Sequence, residues 1–546
     1  MSRTTLSHVL LLASLLVAIV FCGGLLVYGA GRGADLTDEV FYLVWARDPG
    51  AYALIYQPFG YLLHPLFALV RGDLRSYRLI GFAITAVAGA LLGLSLSAGR
   101  RDALPFAAYG MLASLTIFFP WIITPSYNSA ANVGAALAIA GILTALSDRP
   151  GCRTAGSVLT AIGLCLAAFS KPPLFAIAVA VIVVVGIAAG SRRTSLALIV
   201  ALVLAGALIS LFLSPAAIPG LIARMAASQH VLALPNTPLS LPIKVARDWL
   251  IVPASLTGAA VAAGASLLSG RFRRLRWLGY AAIALSLLYV AGIAADAVDG
   301  EIPDFIGLAL VTAAAGYAGV RWRYCRGKRL AIALLLAAPF AVALGTFNNQ
   351  WAQLNFSMVF PLLAIFVLAS GDPLWWRGGL ARALAIVAPG AVMLLAACHP
   401  YSLPASIFEQ QVAISHPVTH GAILVDPETA AFVRSAHGLA GGALLVDLSG
   451  TGPGVAAALG ARAPVLAWLN PAVGTWPDVV WSRLAEGARE RAWFVGPVWP
   501  LFGRSAPARW LVAHRARYCG TTLPEMPFWG KEQVLQVWRP CRHGPG

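Results

Sequence analysis

Three carboxylates lie within five residues near the N-terminus, at Asp35, Asp38 and Glu39. The chain of 546 residues has 22 acidic side chains in all, so this stretch is unusually dense in negative charge. Neighbouring carboxylates can act as a general base, orient a sugar hydroxyl or hold a divalent cation. Asp38 and Glu39 are our candidate catalytic residues, and Asp35 and Tyr42 are candidate substrate contacts. The alternative is a solvated loop whose charges have no catalytic role.

Lys171 follows an apolar run and is a candidate for substrate binding. An ionisable side chain beside an apolar run is costly unless it has a function, but a lysine that extends its ammonium to the water interface is the alternative. Other polar residues between apolar runs are weaker candidates for substrate binding, because ordinary interfacial residues and helix caps have the same pattern. They are Arg78, Tyr127, Asn128, His230, Lys244, Arg247, Asn349 and Gln350.

The elements that must position these residues are strongly apolar. Hydrophobic residues make up 59% of the chain and charged residues 11%, which is about half the charged fraction of a soluble protein. Runs of about twenty apolar residues, long enough to cross a bilayer, recur along most of the chain. We therefore predict an α-helical polytopic membrane protein embedded in a lipid bilayer.

Thirteen apolar runs are predicted to cross the membrane. They are residues 7–28, 79–98, 103–123, 129–146, 154–170, 173–190, 194–213, 250–269, 277–295, 304–320, 330–346, 355–370 and 380–398. The formal net charge of +17 comes largely from basic residues in alternate short loops, which is the distribution of cytoplasmic loops. This pattern places the N-terminus in the cytoplasm and everything after residue 398 outside it, and it explains the positive charge without a nucleic-acid partner.

The predicted domains are a transmembrane domain, residues 1–398, with long external loops at 30–78 and 214–249, and an external domain, residues 399–546. The external domain is expected to be a small α/β fold, because short β-like runs alternate with helical stretches. The β-like runs are 422–425, 443–448, 465–469, 492–495 and 534–538, and the helical stretches are 428–436 and 454–461. All but four of the basic residues are arginine, which fits a GC-rich bacterial genome, so the predicted location is a bacterial inner membrane with a periplasmic C-terminal domain.

Two of the seven cysteines, Cys519 and Cys541, lie in the predicted external domain. A disulfide between them and a pair of free thiols are both compatible with the sequence, and an oxidising compartment would permit the disulfide. The glycine-rich stretch 450–454 resembles a phosphate-binding loop in its glycine content. It has neither the Walker lysine nor the dinucleotide spacing, so a plain strand-to-helix turn is favoured.

Several short motifs resemble the GT-C glycosyltransferases, integral membrane enzymes that include the protein O-mannosyltransferases and the lipid A aminoarabinose transferase. The acidic pair Asp38-Glu39 after the first span, followed by Tyr42 and by residues 57–66 (QPFGYLLHPL), resembles the first external loop of that family. Residues 167–173 (AAFSKPP) are similar to its lysine–proline turn between two central spans.

Residues 355–363 (NFSMVFPLL) resemble a late span of the same family, although Asn355-Phe356 stands where relatives often have Arg-Tyr. The loop 124–129 lacks a carboxylate that some relatives carry. The absence of Arg-Tyr at Asn355-Phe356 puts the phosphate contact at that position in doubt.

The resemblance implies transfer of a sugar from a polyprenyl-phosphate donor to a lipid, glycan or protein acceptor on the extracytoplasmic face, with inversion at the anomeric carbon. It implies that Asp38 is the general base, that Glu39 orients the acceptor or a loop, and that Lys171 is the best candidate to contact the leaving phosphate. It implies no cofactor, while the three carboxylates leave room for a divalent metal. One alternative is a carrier or flippase for a lipid-linked saccharide, although internal repeats and mid-membrane charges, which are typical of transporters, are not evident in the sequence. A polysaccharide polymerase or ligase would share the external chemistry, and a non-catalytic scaffold is the third alternative.

Overall fold

The computed structural model describes residues 3–55, 57–97, 99–147, 151–231, 246–268, 275–296, 305–345, 350–372, 375–468, 476–497, 505–528 and 531–541. The described chain is mostly helical, with a small region of β-sheet near the C-terminus. It divides into two compact units. The helical unit comprises Met1–Val27, Leu79–Phe212 and Pro238–Ala396, and the loop–tail unit comprises Tyr28–Arg78, Leu213–Thr237 and Ala397–Gly546.

Apolar helices make up the helical unit, and three of them extend beyond its boundaries. They are Arg3–Gly29, Leu74–Leu96, Arg100–Ser114, Tyr127–Ala145, Cys152–Ser170, Pro172–Ala188, Arg192–Phe212, Ala254–Leu268, Arg276–Asp296, Ile306–Arg321, Arg329–Ala343, Gln350–Leu354, Val359–Ser370 and Trp375–Cys398. The long apolar runs of the sequence form these helices, because a helix satisfies its internal backbone hydrogen bonds within the segment itself.

Six helices of the described chain are long and apolar enough to cross a membrane, over Leu6–Gly29, Leu74–Leu96, Tyr127–Ala145, Cys152–Ser170, Arg192–Phe212 and Arg377–Cys398. The pair Gln350–Ser357 and Val359–Ser370, bent by 55° at its break, would count as a seventh. Further apolar helices are shorter, from 10 to 17 residues. The predicted helical architecture with a small C-terminal sheet is confirmed at this coarse level.

Helices Tyr127–Ala145 and Cys152–Ser170 pack closely and antiparallel. A Cβ atom added at Gly163 would lie 2.6 Å from the carbonyl oxygen of Gly134, and one added at Gly156 would lie 2.7 Å from that of Gly141. The two backbones approach this closely because glycine has no side chain at the contact. The packing places the first turn of one helix beside the last turn of the other.

Short helices and strands form the loop–tail unit. The helices are Asp38–Arg47, Phe59–Leu69, Ile218–Val231, Pro427–Ala436, Pro453–Ala458, Trp476–Ser482, Glu486–Glu490 and Ala506–Ala513. The strands are β1 (Val412–Ser415), β2 (Ala422–Val425), β3 (Leu445–Asp447), β4 (Trp493–Pro497), β5 (Tyr518–Thr522), β6 (Met526–Phe528), β7 (Lys531–Gln533) and β8 (Leu535–Pro540).

The main sheet of the tail has the strand order β3-β4-β8-β5. Strands β3 and β4 run parallel, whereas β8 is antiparallel to both β4 and β5. Val446, Phe494, Leu511 and Trp538 are fully buried at its core. Strands β1 and β2 form an antiparallel pair, as do β6 and β7.

One predicted strand of the tail is wrong over its described residues. The run 465–468 has no strand, and Val465 has a φ of +64°. A β-branched residue in the left-handed region is incompatible with a strand. The carbonyl oxygen of Val465 accepts a hydrogen bond of 3.1 Å from Leu54 N, which ties this run to the first long loop.

The first long loop and the tail fold together through backbone hydrogen bonds. Gly33 N donates to Leu424 O at 2.8 Å, and Leu424 N donates to Gly31 O at 3.0 Å. The second long loop joins the same unit, since Ile55 N donates to Ser228 Oγ at 2.8 Å. Segments far apart in sequence therefore make one folded body around the acidic stretch.

Candidate active site

The acidic stretch forms the start of a short helix, Asp38–Arg47, which is largely buried. Asp35 Oδ1 accepts hydrogen bonds from Thr37 N at 2.8 Å and from Thr37 Oγ1 at 2.5 Å, and Asp35 Oδ2 accepts from Glu39 N at 3.1 Å. The first N–H groups of a helix have no partner within it, and a carboxylate can accept from them. Asp35, predicted as a substrate contact, therefore uses both oxygens to hold the turn that presents Asp38.

Burial changes the acidity of Asp35, which is 8% exposed. The loss of water raises the pKa of its carboxyl to about 7, and the charges of Asp38 and Glu39 add to this effect, whereas the hydrogen bonds from Thr37 oppose it. The folded-state pKa thus lies above the ordinary value of 3.8. Asp35 accordingly stabilises the fold most at acidic pH, and this contribution is lost as the pH rises through 7.

Glu39 is paired with Arg78 in the interior of the loop–tail unit. Arg78 Nη2 lies 2.5 Å and Arg78 Nε 3.0 Å from Glu39 Oε1, and both side chains are buried. Arg78 also donates to the carbonyl oxygens of Ala30, Arg32 and Gly33 at 3.1, 3.0 and 2.9 Å. Glu39 thereby orients the loop, which is one of the two roles predicted for it. Arg78, predicted as a weaker candidate for a phosphate or sugar contact, is instead a buried structural residue.

Asp38 is the least buried of the three carboxylates. The hydroxyl of Tyr42 donates to Asp38 Oδ1 at 3.2 Å, and the hydroxyl of Tyr401 donates a second hydrogen bond to the same carboxylate. Burial raises the pKa of Asp38, while the two phenol hydrogen bonds oppose that shift by favouring the charged form. A carboxylate with a raised pKa and partial access is suited to accept a proton near neutral pH.

Aromatic rings pack around the helix that carries Asp38. Tyr42 is 1% exposed, and its ring meets Phe59 edge to face with 5.9 Å between centroids. Trp45 stacks on Phe59 at 5.4 Å, and Phe41 meets Trp468 of the tail at 6.1 Å. This packing fixes the rotation of the helix, and with it the direction of Asp38. Tyr42, predicted as a substrate contact, reaches Asp38 through its hydroxyl.

The glycine-rich stretch 450–454 is a strand-to-helix turn between β3 and helix Pro453–Ala458, as favoured from the sequence. Its first N–H group, that of Gly450, donates to Asp447 Oδ1 at 3.3 Å. At its other end, Gly454 N donates to the carbonyl oxygen of Leu36 at 2.8 Å. The turn therefore contacts the acidic stretch directly, a role that its sequence did not indicate.

Lys171 lies within the helical unit, between helices Cys152–Ser170 and Pro172–Ala188, and is fully buried. Its Nζ donates to Val342 O at 2.7 Å and to Gln353 Oε1 at 3.1 Å. The ammonium also lies 5.4 Å from the ring centroid of Tyr127. Lys171 therefore does not extend to open water, and it neighbours a second residue predicted for substrate binding.

Two further predicted binding residues of the helical unit are buried. Asn128 is 2% exposed, and Gln350, at 8%, donates its backbone N–H to Asp248 Oδ2 at 2.9 Å. The side-chain oxygens Asn128 Oδ1 and Gln350 Oε1 have no hydrogen-bond partner among the described residues. Such atoms are suited to accept from a bound water or a ligand hydroxyl.

Of the remaining predicted binding residues, the structure describes the side chain of Arg247 alone. Arg247 is exposed. Lys244 and Asn349 lie outside the described residues, as does the side chain of His230. Within the part of the chain that the structure describes, no group of three or more His, Cys, Asp and Glu side chains is arranged to hold a metal ion.

Cys519 of β5 and Cys541, which follows β8, form a disulfide with an S–S distance of 2.04 Å. It links two adjacent antiparallel strands of the tail. Cys22, Cys152, Cys165, Cys325 and Cys398 are free thiols.

Sequence reasoning did not single out Tyr401, which follows the helix Trp375–Cys398. Its contact with Asp38 joins two distant parts of the chain, so no local pattern could have indicated it. Comparison with known families adds no further assignment, because no protein-family model and no curated protein matches the chain.

Proposed function

We propose that the chain is an inverting glycosyltransferase of the GT-C type, which uses a polyprenyl-phosphate sugar as its donor. The observation that carries this proposal is the environment of Asp38. It is a partly accessible carboxylate with a raised pKa, held at a helix start by two tyrosine hydroxyls. It also follows the first apolar helix, where the resemblance places the acidic pair.

The proposal includes thirteen membrane crossings, a cytoplasmic N-terminus and a periplasmic C-terminal domain in a bacterial inner membrane. Each of the thirteen predicted crossings overlaps a helix. Several of these helices are shorter than a typical span, so their crossing remains a proposal.

The make-up of the loop–tail unit supports an odd number of crossings. Its three segments, Tyr28–Arg78, Leu213–Thr237 and Ala397–Gly546, form one compact unit, and a folded unit of this kind belongs on one side of a membrane. An even number of crossings must then separate each segment from the next. The proposed arrangement has six crossings in each interval and one before the first segment, which satisfies this condition.

The chemistry assigned to Asp38 is a single displacement at the anomeric carbon of the donor. An acceptor hydroxyl attacks that carbon while Asp38 takes its proton. The new C–O bond forms as the bond between the anomeric carbon and the phosphate oxygen breaks, and the bond electrons leave with polyprenyl phosphate. Attack opposite the leaving group inverts the configuration.

Lys171 remains our candidate for the cation that contacts the phosphate. Its ammonium carries three N–H groups, and two of them donate to Val342 O and Gln353 Oε1. The acceptor is a lipid, glycan or protein with a free hydroxyl, and the reaction as written needs no cofactor.

The test uses the purified full-length protein in detergent, a panel of polyprenyl-phosphate sugars labelled in the sugar, and a membrane extract as the source of acceptors. We expect labelled product and an equal amount of polyprenyl phosphate from at least one donor. Asp38→Asn should lower the rate about 10²–10⁴-fold, the usual contribution of a general base. Asp48→Asn, an exposed residue at the other end of the same helix, is the matched control and should keep the full rate.

Two results would overturn the proposal. One is the absence of turnover with every donor, and the other is equal turnover by the wild type and Asp38→Asn. Movement of a labelled donor between the leaflets of reconstituted vesicles, without cleavage and independent of Asp38, would instead identify a carrier.

A further inference from the structure

Tyr401 belongs to the segment that enters the tail directly after helix Trp375–Cys398. Its hydroxyl donates to Asp38, and the hydroxyl of the next residue, Ser402, lies 3.4 Å from Thr37 Oγ1. Ser402 has a φ of +56°. A non-glycine residue in the left-handed region costs free energy and persists where the surroundings hold it there. The segment is thus fixed against both Thr37 and Asp38.

The groups that face Asp38 come from two distant parts of the chain. Tyr42 lies one helical turn after Asp38, and Tyr401 comes from the tail. Asp35 and Glu39 are the neighbouring negative charges, and the charge of Glu39 is paired with Arg78. A carboxylate has about four lone-pair positions, so two phenol hydrogen bonds restrict its rotation and leave positions for an acceptor hydroxyl.

We propose that Tyr401 is a positioning residue for Asp38, and that the C-terminal tail is thereby part of the active site. This inference rests on the proposed function of Asp38 as the base. The tail also contacts the acidic stretch through Gly454 N, which donates to Leu36 O at 2.8 Å. Tyr401 fixes the carboxylate itself, while the glycine turn fixes the backbone that leads to it.

The experiment measures the protonation of Asp38 directly and needs no substrate. Infrared spectra of the purified protein are recorded across a pH titration, and subtraction of Asp38→Asn isolates the carboxyl band of Asp38. Tyr401→Phe removes one hydrogen bond to the charged form, so we expect the titration midpoint to rise by about one pH unit. Tyr42→Phe is the matched control for the other phenol and should shift the midpoint in the same direction.

A second variant covers the case in which Tyr401→Phe alters the fold. Site-specific replacement of Tyr401 by 3-fluorotyrosine keeps the hydroxyl and makes it a stronger donor, so the midpoint should fall. An unchanged midpoint in the folded variants would overturn the positioning role.

Measurements of transfer activity distinguish a failure of this inference from a failure of the proposed function. If Asp38→Asn retains transfer, the proposed function fails, whatever Tyr401 does. If Asp38→Asn is inactive and Tyr401→Phe leaves both the midpoint and the pH profile of transfer unchanged, only the role of Tyr401 fails.

Discussion

Arg78 Nη2 lies 2.5 Å from Glu39 Oε1, and the exposed fractions of the two side chains are 2% and 5%. Removal of one partner would leave an uncompensated charge in the interior, which costs about 3–5 kcal/mol. We therefore expect Arg78→Gln to destabilise the loop–tail unit by about this amount and to increase amide hydrogen exchange over residues 28–47. Mass spectrometry of the exchanged protein is the measurement.

Arg75→Gln is the matched control, since Arg75 is exposed on the same helix. A surface substitution of this kind usually changes stability by less than about 0.5 kcal/mol. Equal exchange in the two variants would show that the Glu39–Arg78 pair does not hold this loop.

The rate of transfer should fall as the pH is lowered. Burial raises the pKa of Asp38 above its ordinary value of 3.8, and a general base acts only in its charged form. As the pH falls through the raised pKa, Asp38 takes up a proton and kcat/KM decreases in proportion to the remaining carboxylate. The profile of kcat/KM from pH 4 to 9 is the measurement, and a rate that stays constant down to pH 4 would contradict the assignment.

A side chain at Gly454 should displace the acidic stretch. A Cβ atom there would lie 2.6 Å from Leu36 Cα, and it would also meet the carbonyl oxygen of Leu36. We expect Gly454→Ala to lower the rate of transfer about a hundredfold, because small displacements of catalytic groups have effects of this size. In Gly220→Ala the new Cβ has nothing within 4 Å, so this variant is the control. An unchanged rate in Gly454→Ala would show that the turn and the acidic stretch move independently.

The disulfide should stabilise the sheet of the tail. Cys519 and Cys541 are 22 residues apart in sequence, and closure of a loop of this length contributes about 3 kcal/mol. We expect Cys519→Ser to accelerate amide exchange in β5 and β8, and a reducing agent to do the same in the wild type. Cys152→Ser, which removes a free thiol, should leave both strands unchanged. Strands that exchange equally with and without the disulfide would contradict this.

Much of the helical architecture follows from local composition. The run 154–170 predicted a helix, and the structure has one over Cys152–Ser170. The short β-like run 422–425 likewise predicted the strand over Ala422–Val425. The strand predicted over 465–469 is wrong in its described residues, 465–468. Val465 has a left-handed φ and its carbonyl oxygen accepts a hydrogen bond from Leu54 N, a distant partner that the local sequence does not indicate.

From the sequence, only the residue types of the candidate site could be predicted. Three carboxylates in five residues made Asp38 a candidate site residue, and a lone charge beside an apolar run made Lys171 another. The roles of the neighbouring residues depend on long-range contacts. Thr37 and Ser402, for example, are separated by 365 residues, and no periodicity or motif connects them. The structural role of Arg78 was missed for the same reason, since its carbonyl partners have no signature in sequence.

The partnership of the first long loop with the tail has a consequence for biosynthesis. Ribosomes make the acidic stretch long before Tyr401, Leu424 and Gly454, which come much later in the sequence. Until those residues have been made, a nascent chain carries Asp38 without the tail hydroxyl and backbone groups that contact the acidic stretch in the folded molecule. The surroundings of the acidic stretch are complete only once Gly454 has been made, so a product interrupted before Tyr401 would lack all of these contacts.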